Sequence, residues 1–305
     1  MNPDQTISLQ MVNGWAILPS SLRHSDQSPR FHLHFLASLA GDVGAQHLII
    51  NEANAGYEPP TRDLLERVLR PGDLFVDVGA HWGFFSLQAA THPAGGIDVV
   101  AFEPDLTNAV TLTENVARNG LANAVTVVCA ACGNKNELAP LALNTTMGHS
   151  IRGIGLAPAA RAHSKWVPVV TLDGALANMG KQAPRLILKI DAEGFEPNVI
   201  VGAQALLAAG CVALIIWERG PAFAEGLGRT AMMQMTALLS DCGFRHFLPP
   251  AIGHAGAPFA FDPQADYIGN VFSVGPRLID DPAFASAPTR ATEAAMSVLN
   301  PTHPQ

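Results

Sequence analysis

The sequence predicts an α/β fold: a mostly parallel sheet with helices on both faces. Three observations carry this. From residue 56 onward, short apolar runs alternate with segments of helical periodicity. The runs, such as 74–78 and 212–217, are continuous rather than alternating, as in strands buried on both faces. A glycine turn, Asp77-Val-Gly-Ala-His-Trp-Gly83, joins the first run to a helix.

Residues 1–50 are weakly patterned. Phe31-His-Leu-His-Phe-Leu36 alternates like a strand, and residues 1–55 are expected to supply strands or a cap. Leu64, Leu65, Val68 and Leu69 share one helical face over 61–70, with Thr61 as N-cap and Pro71-Gly72 as the stop. Residues 74–78 form the first buried strand, and a helix follows Gly83. A second strand covers 98–102. A helix over 107–119 ends at Gly120, and a third strand covers 125–130. Residues 167–170 read as extended, with a short helix from Thr171. A strand over 185–190, a helix over 197–208 and a strand over 212–217 follow. The last elements are a helix over 230–242 closed by Gly243, then strands over 244–248 and 267–274. The principal domain therefore spans 56–278. Residues 279–305, rich in Ala, Pro, Ser and Thr, read as a mobile tail.

Composition narrows the function. Of 305 residues, 48% are apolar and only 14% charged, which excludes disorder and a coiled coil. A net charge of −8 without a Lys/Arg cluster argues against nucleic acid and against an acidic membrane surface. Four cysteines are too few for a disulfide scaffold, and the first residues lack the basic and apolar regions of a secretion signal, so a reducing, cytoplasmic protein is expected. Residues 199–217 carry no charge, but Gly202, Gln204 and Gly210 interrupt them. They read as helix, glycine stop and buried strand rather than a membrane span. Cys129-Ala-Ala-Cys132 ends a strand and has no second pair, so it reads as packing rather than a metal or redox site.

The glycine turn is the most informative segment. Glu103 ends the next strand about 20 residues after Gly83, where an acid can accept the hydroxyls of an adenosine ribose. Three readings fit the turn: S-adenosylmethionine, a dinucleotide, or a packing loop without ligand. A pyrophosphate would be repelled by Asp77 and wants a third glycine, whereas the sulfonium and ammonium of S-adenosylmethionine are attracted to Asp77.

A series of segments then extends the comparison. Gly56-Tyr-Glu-Pro59, Asp77–Gly83, Ala101-Phe-Glu-Pro104, Glu114-Asn115, Val170-Thr-Leu-Asp173, Leu188-Lys-Ile-Asp-Ala-Glu-Gly194 and Ile216-Trp-Glu218 occur in this order. The series resembles the FkbM family of S-adenosylmethionine-dependent methyltransferases over about residues 56–220. Lys189–Gly194 is its most specific piece. The resemblance implies a class I methyltransferase (Rossmann-like) seven-stranded sheet with its last strand antiparallel. It also implies O-methylation of a sugar, glycan or natural product. It places Gly79, Ala80 and Gly83 around the methionine moiety, with Asp77 and His81 in the same loop. Glu103 falls on the ribose, Pro104 on the adenine edge, and Cys132 near adenine. Asn115 braces the loop. His81-Trp82 stands where the family often has a small residue or Asn.

For the transfer itself, acceptor oxygen, methyl and sulfur must be aligned, and an alcohol acceptor must lose its proton. Asp191 ends the fourth strand beside the loop and is the candidate base; it also borders the cofactor. Lys189, two residues earlier on the same strand face, can steady Asp191 or the acceptor. His149, in the polar loop 145–150, is a further candidate base or substrate contact. Glu193 reads as support for the turn before Pro197. Glu218 ends the next strand, so three carboxylates converge, although no metal site is expected because alignment does not require one. The expected partner is a small-molecule or glycan hydroxyl acceptor, with a homodimer left open. The alternatives are a nicotinamide-dependent oxidoreductase and a non-catalytic cofactor-binding module.

Overall fold

The computed structural model describes residues 9–54, 56–142, 150–151, 164–223, 226–249, 259–264, 267–281 and 284. His149 and almost all of the tail over 279–305 lie outside the described residues. The chain opens with an antiparallel three-stranded sheet, β1 (Gln10–Val12), β2 (Trp15–Pro19) and β3 (His32–Leu36). Two helices follow, α1 (Val43–Asn54) and α2 (Pro59–Val68). The helix expected to begin at Thr61 starts two residues earlier. Pro59 and Pro60 preset the helical φ at its first positions, and Glu58 rather than Thr61 is the N-cap residue.

Next come β4 (Leu74–Val78), α3 (Phe84–Ala90), β5 (Asp98–Phe102), α4 (Leu106–Arg118) and β6 (Val125–Val128). The third strand stops at Val128. Residues 131–132 leave it as β7 (Ala131–Cys132) and join a second sheet with β8 (Glu137–Ala142), β9 (Ser150–Ile151) and β10 (Ser164–Val170). Then come α5 (Leu172–Asn178), β11 (Leu186–Ile190), α6 (Glu196–Val201), α7 (Gln204–Ala208) and β12 (Val212–Arg219). The helix expected over 197–208 is two helices. It breaks at Gly202, which lies so close to the Gly133 carbonyl that a Cβ would overlap it. The Asp173 carboxylate then accepts N–H bonds from Ala205 and Leu206 in the first turn of α7. The chain closes with α8 (Gly226–Asp241), β13 (Arg245–Leu248), β14 (Phe259–Ala260), β15 (Gly269–Val274) and α9 (Pro276–Ile279).

The central sheet has the order β14-β13-β15-β12-β11-β4-β5-β6. β4, β5, β6, β11 and β12 run parallel, and β15 is antiparallel to both β12 and β13. These are the seven expected strands with the antiparallel one in place. The two-residue β14 adds a strand at the edge. The order reverses between β4 and β11, and ligands of such sheets sit at that switch point, outside the carboxyl ends of the strands. Every residue of β4 and β11 is buried, which explains their unbroken apolar runs. Among the described residues no helix is long and apolar enough to cross a membrane; 199–217 is divided among α6, α7 and β12.

Candidate active site

One pocket lies at the switch point. Asp77, Gly79, Ala80, His81, Glu103, Pro104, Cys132, Lys189 and Asp191 all line it. Gly83 does not: it is the N-cap of α3 with φ 92°, packed against Leu112 of α4. Sequence reasoning also missed several wall residues. Leu33 and Leu48 come from the N-terminal sheet and α1, Leu141 from the second sheet, and Tyr57, Asn108 and Phe195 from further separate parts of the chain. No spacing links these to the glycine turn; only the tertiary fold brings them there.

The turn is shaped by its backbone. Gly79 has φ 77°, and a Cβ there would overlap the Asp191 carbonyl oxygen, so the tips of β4 and β11 touch backbone to backbone. The N–H groups of Gly79 and Ala80 both donate to the Phe102 carbonyl, which ties the turn to β5. Glu103, only 4% exposed, is held by two backbone amides. Asp105 N donates to its Oε1 at 2.9 Å and His81 N to its Oε2 at 2.9 Å. Burial nevertheless pushes the Glu103 carboxyl up to about 7.

Asp77 is buried at the base of the pocket. Its Oδ2 accepts from the Ser86 hydroxyl at 2.6 Å, whereas Oδ1 is buried without a hydrogen-bond partner among the described residues. Burial raises its pKa, against the pull of the neighbouring Lys189 ammonium. Lys189 pairs directly with Asp77 in register across β11 and β4. Its Nζ donates to Asp191 Oδ2 at 3.1 Å and lies 4.8 Å from the centre of the Phe85 ring. Burial alone would lower the ammonium's pKa, but the carboxylates of Asp191, Glu58 and Asp77 hold it well above its ordinary value.

Asp191, Glu193 and Glu218 converge as expected: one carboxylate oxygen from each lies within 4.8 Å of the others. Burial, with the charge of Asp191 next, pushes Glu193 up to about 7 and Glu218 up to about 9. Glu196, fully buried, accepts from the Ala192 amide and is pushed by burial up to about 8. Asn115 donates to the Trp82 carbonyl at 2.8 Å, bracing the turn from α4. Cys129 is exposed and Cys132 buried, and both are free thiols.

The methyltransferase FkbM domain matches residues 77–246, more than half of the chain. The chain belongs to the FkbM methyltransferase family. Membership implies S-adenosylmethionine as methyl donor. The structure is similar to methyltransferase FkbM from Methylobacillus flagellatus KT, at 15% identity and a TM-score of 0.44. The similarity covers 75% of this chain and 53% of that one, so this FkbM chain spans about half that protein's length. An O-methyltransferase from Bacillus cereus in complex with SAH gives 14% identity and a TM-score of 0.43, covering 75% of this chain and 89% of that one. Precorrin-6y C5,15-methyltransferase from Geobacter metallireducens GS-15 gives 11% and 0.41, covering 72% and 89%. No curated protein matches the sequence.

The FkbM cofactor can be tested against the residues present. The buried Asp77 Oδ1 lacks a partner among the described residues, and Asp77 lines the pocket, which suits a cationic donor such as a sulfonium or ammonium. Glu103 keeps acceptor capacity beyond its two amide bonds, which suits ribose hydroxyls. The donor set therefore fits S-adenosylmethionine.

Proposed function

We propose that this chain is a cytoplasmic S-adenosylmethionine-dependent O-methyltransferase acting on a hydroxyl of a sugar, glycan or natural product. The observation that supports it most is the Lys189–Asp191 pair, 3.1 Å apart, in the same pocket as the glycine turn. The cofactor supplies a methyl carbon already activated by its sulfonium. Asp77 would hold a cationic part of it and Glu103 its ribose. Asp191 takes the proton from the acceptor hydroxyl, while the Lys189 ammonium fixes the carboxylate's orientation. Leu33, Leu48, Phe84 and Phe85 give the pocket an apolar wall.

A nicotinamide dinucleotide is disfavoured, because the buried Asp77 carboxylate lies beside the turn where a pyrophosphate would sit. Calorimetric titration with S-adenosylhomocysteine, with NAD and NADP in parallel, tests the reading. Micromolar binding of the homocysteine product alone supports it, and binding of a nicotinamide cofactor overturns it. A labelled-methyl acceptor screen then separates an enzyme from a non-catalytic binding module.

A further inference from the structure

We propose that Phe35, in a strand that precedes the matched family region, is a positioning residue for the cofactor-binding turn. The inference rests on reading that turn as part of the S-adenosylmethionine site. His81 has φ 52°, a left-handed conformation uncommon for a residue with a Cβ. That conformation aims the His81 N–H at Glu103 Oε2, 2.9 Å away. A column of rings holds it. The His81 ring stacks on Trp82 at 4.5 Å with 23° between planes, and Trp82 stacks on Phe35 at 4.7 Å and 15°.

Trp82 is only 1% exposed and is fixed at two further points. Its indole N–H donates to Asn108 Oδ1 at 3.1 Å, and its carbonyl accepts from Asn115 Nδ2 at 2.8 Å. Asn115 Oδ1 in turn accepts the N–H of His34, the neighbour of Phe35, at 2.6 Å. The strand and the turn are thus clamped together by stacked rings and by one asparagine. Phe35 does not itself line the pocket, so its effect on a ligand passes through Trp82 and His81 to Glu103. A residue that only packs would change stability and leave affinity alone.

The test is calorimetric binding of S-adenosylhomocysteine to the full chain and four variants: Phe35→Leu, Phe35→Tyr, Glu103→Gln and Phe35→Leu/Glu103→Gln. Circular dichroism first establishes that each is folded, and Phe35→Met replaces the leucine variant should that one not fold. Phe35→Leu is expected to weaken binding roughly five- to tenfold, while Phe35→Tyr, which keeps a stacking ring, stays within about twofold of wild type. In the Glu103→Gln background the leucine change is expected to cost less than about twofold, because the contact it acts through is already altered. A folded Phe35→Leu protein binding like wild type, or fully additive losses in the double variant, overturns the proposal and leaves the methyltransferase reading standing. Absence of binding to wild type overturns both.

Discussion

At the scale of single residues, the proposed mechanism rests on two carboxylates that the fold treats differently. Glu103 is fixed by amides from both sides, whereas Asp191 is partly exposed and held by one ammonium. Their roles should separate accordingly. Asp191→Asn is expected to lower kcat about 10²- to 10³-fold. Its S-adenosylhomocysteine affinity should stay within about threefold, compared by single-turnover rates and calorimetry. Gly79→Ala should damage both functions, because its Cβ needs the space taken by the Asp191 carbonyl and φ is 77°. We expect a loss of at least about 2 kcal/mol in urea unfolding, together with lower turnover. The glycine turn, Glu103 and the Lys189-x-Asp191 spacing were legible in the sequence because each is a local pattern. Tyr57, Leu33 and Asn108 were not, since their place in the pocket is set by contacts between distant elements.

At the scale of elements, side chains at helix starts do much of the positioning. Asp105 is the N-cap of α4, accepting from Thr107 N at 2.9 Å and Asn108 N at 3.2 Å, and it also receives the Lys165 ammonium at 2.8 Å from the second sheet. Asp105→Ala is expected to cost about 1–2 kcal/mol in chemical unfolding. It should also loosen Asn108, which holds the indole of Trp82. The parallel strands could be placed from their apolar runs to within a residue or two. The second sheet was read only in part, through Val167–Val170: β8 alternates weakly, carries Pro140, and takes its register from β10 rather than from its own pattern. The break between α6 and α7 escaped detection too, since an isolated glycine in a helical stretch does not reveal what backbone lies against it.

At the scale of the whole molecule, buried and partly buried acids gather beside the pocket: Glu218 next to Asp191 and Glu193, and Glu196 on the Ala192 amide. Glu196 and Glu218 hold their protons up to about pH 8 and 9, far above the ordinary carboxyl value of 4.5. The unfolded chain releases those protons earlier, so the folded state loses stability as pH rises through this range. Below about pH 6.5 the partly buried His32, His34 and His246, whose pKa values burial lowers, act in the opposite sense. The clean window is therefore pH 7 to 9, where Tm is expected to fall by roughly 5 °C. Glu218→Gln should flatten that slope; an unchanged slope in scanning calorimetry would count against this account. The fold class was legible at this scale because alternating elements and one glycine turn admit few topologies. How the N-terminal sheet attaches was not, because no periodicity encodes it.

That attachment also bears on how the chain behaves among its own copies. β3 is the edge of a small antiparallel sheet, and an open edge invites another strand to pair with it. Here three of the outward backbone groups, at His32 and His34, are already taken. Asn119 accepts the His32 N–H and donates to the His32 carbonyl, both at 2.8 Å, and Asn115 accepts the His34 N–H. Two asparagines one helical turn apart thus imitate the ladder of a missing strand. Their amides keep the edge from acting as a template for aggregation, and an Asn119→Leu protein should precipitate at concentrations where wild type stays in solution.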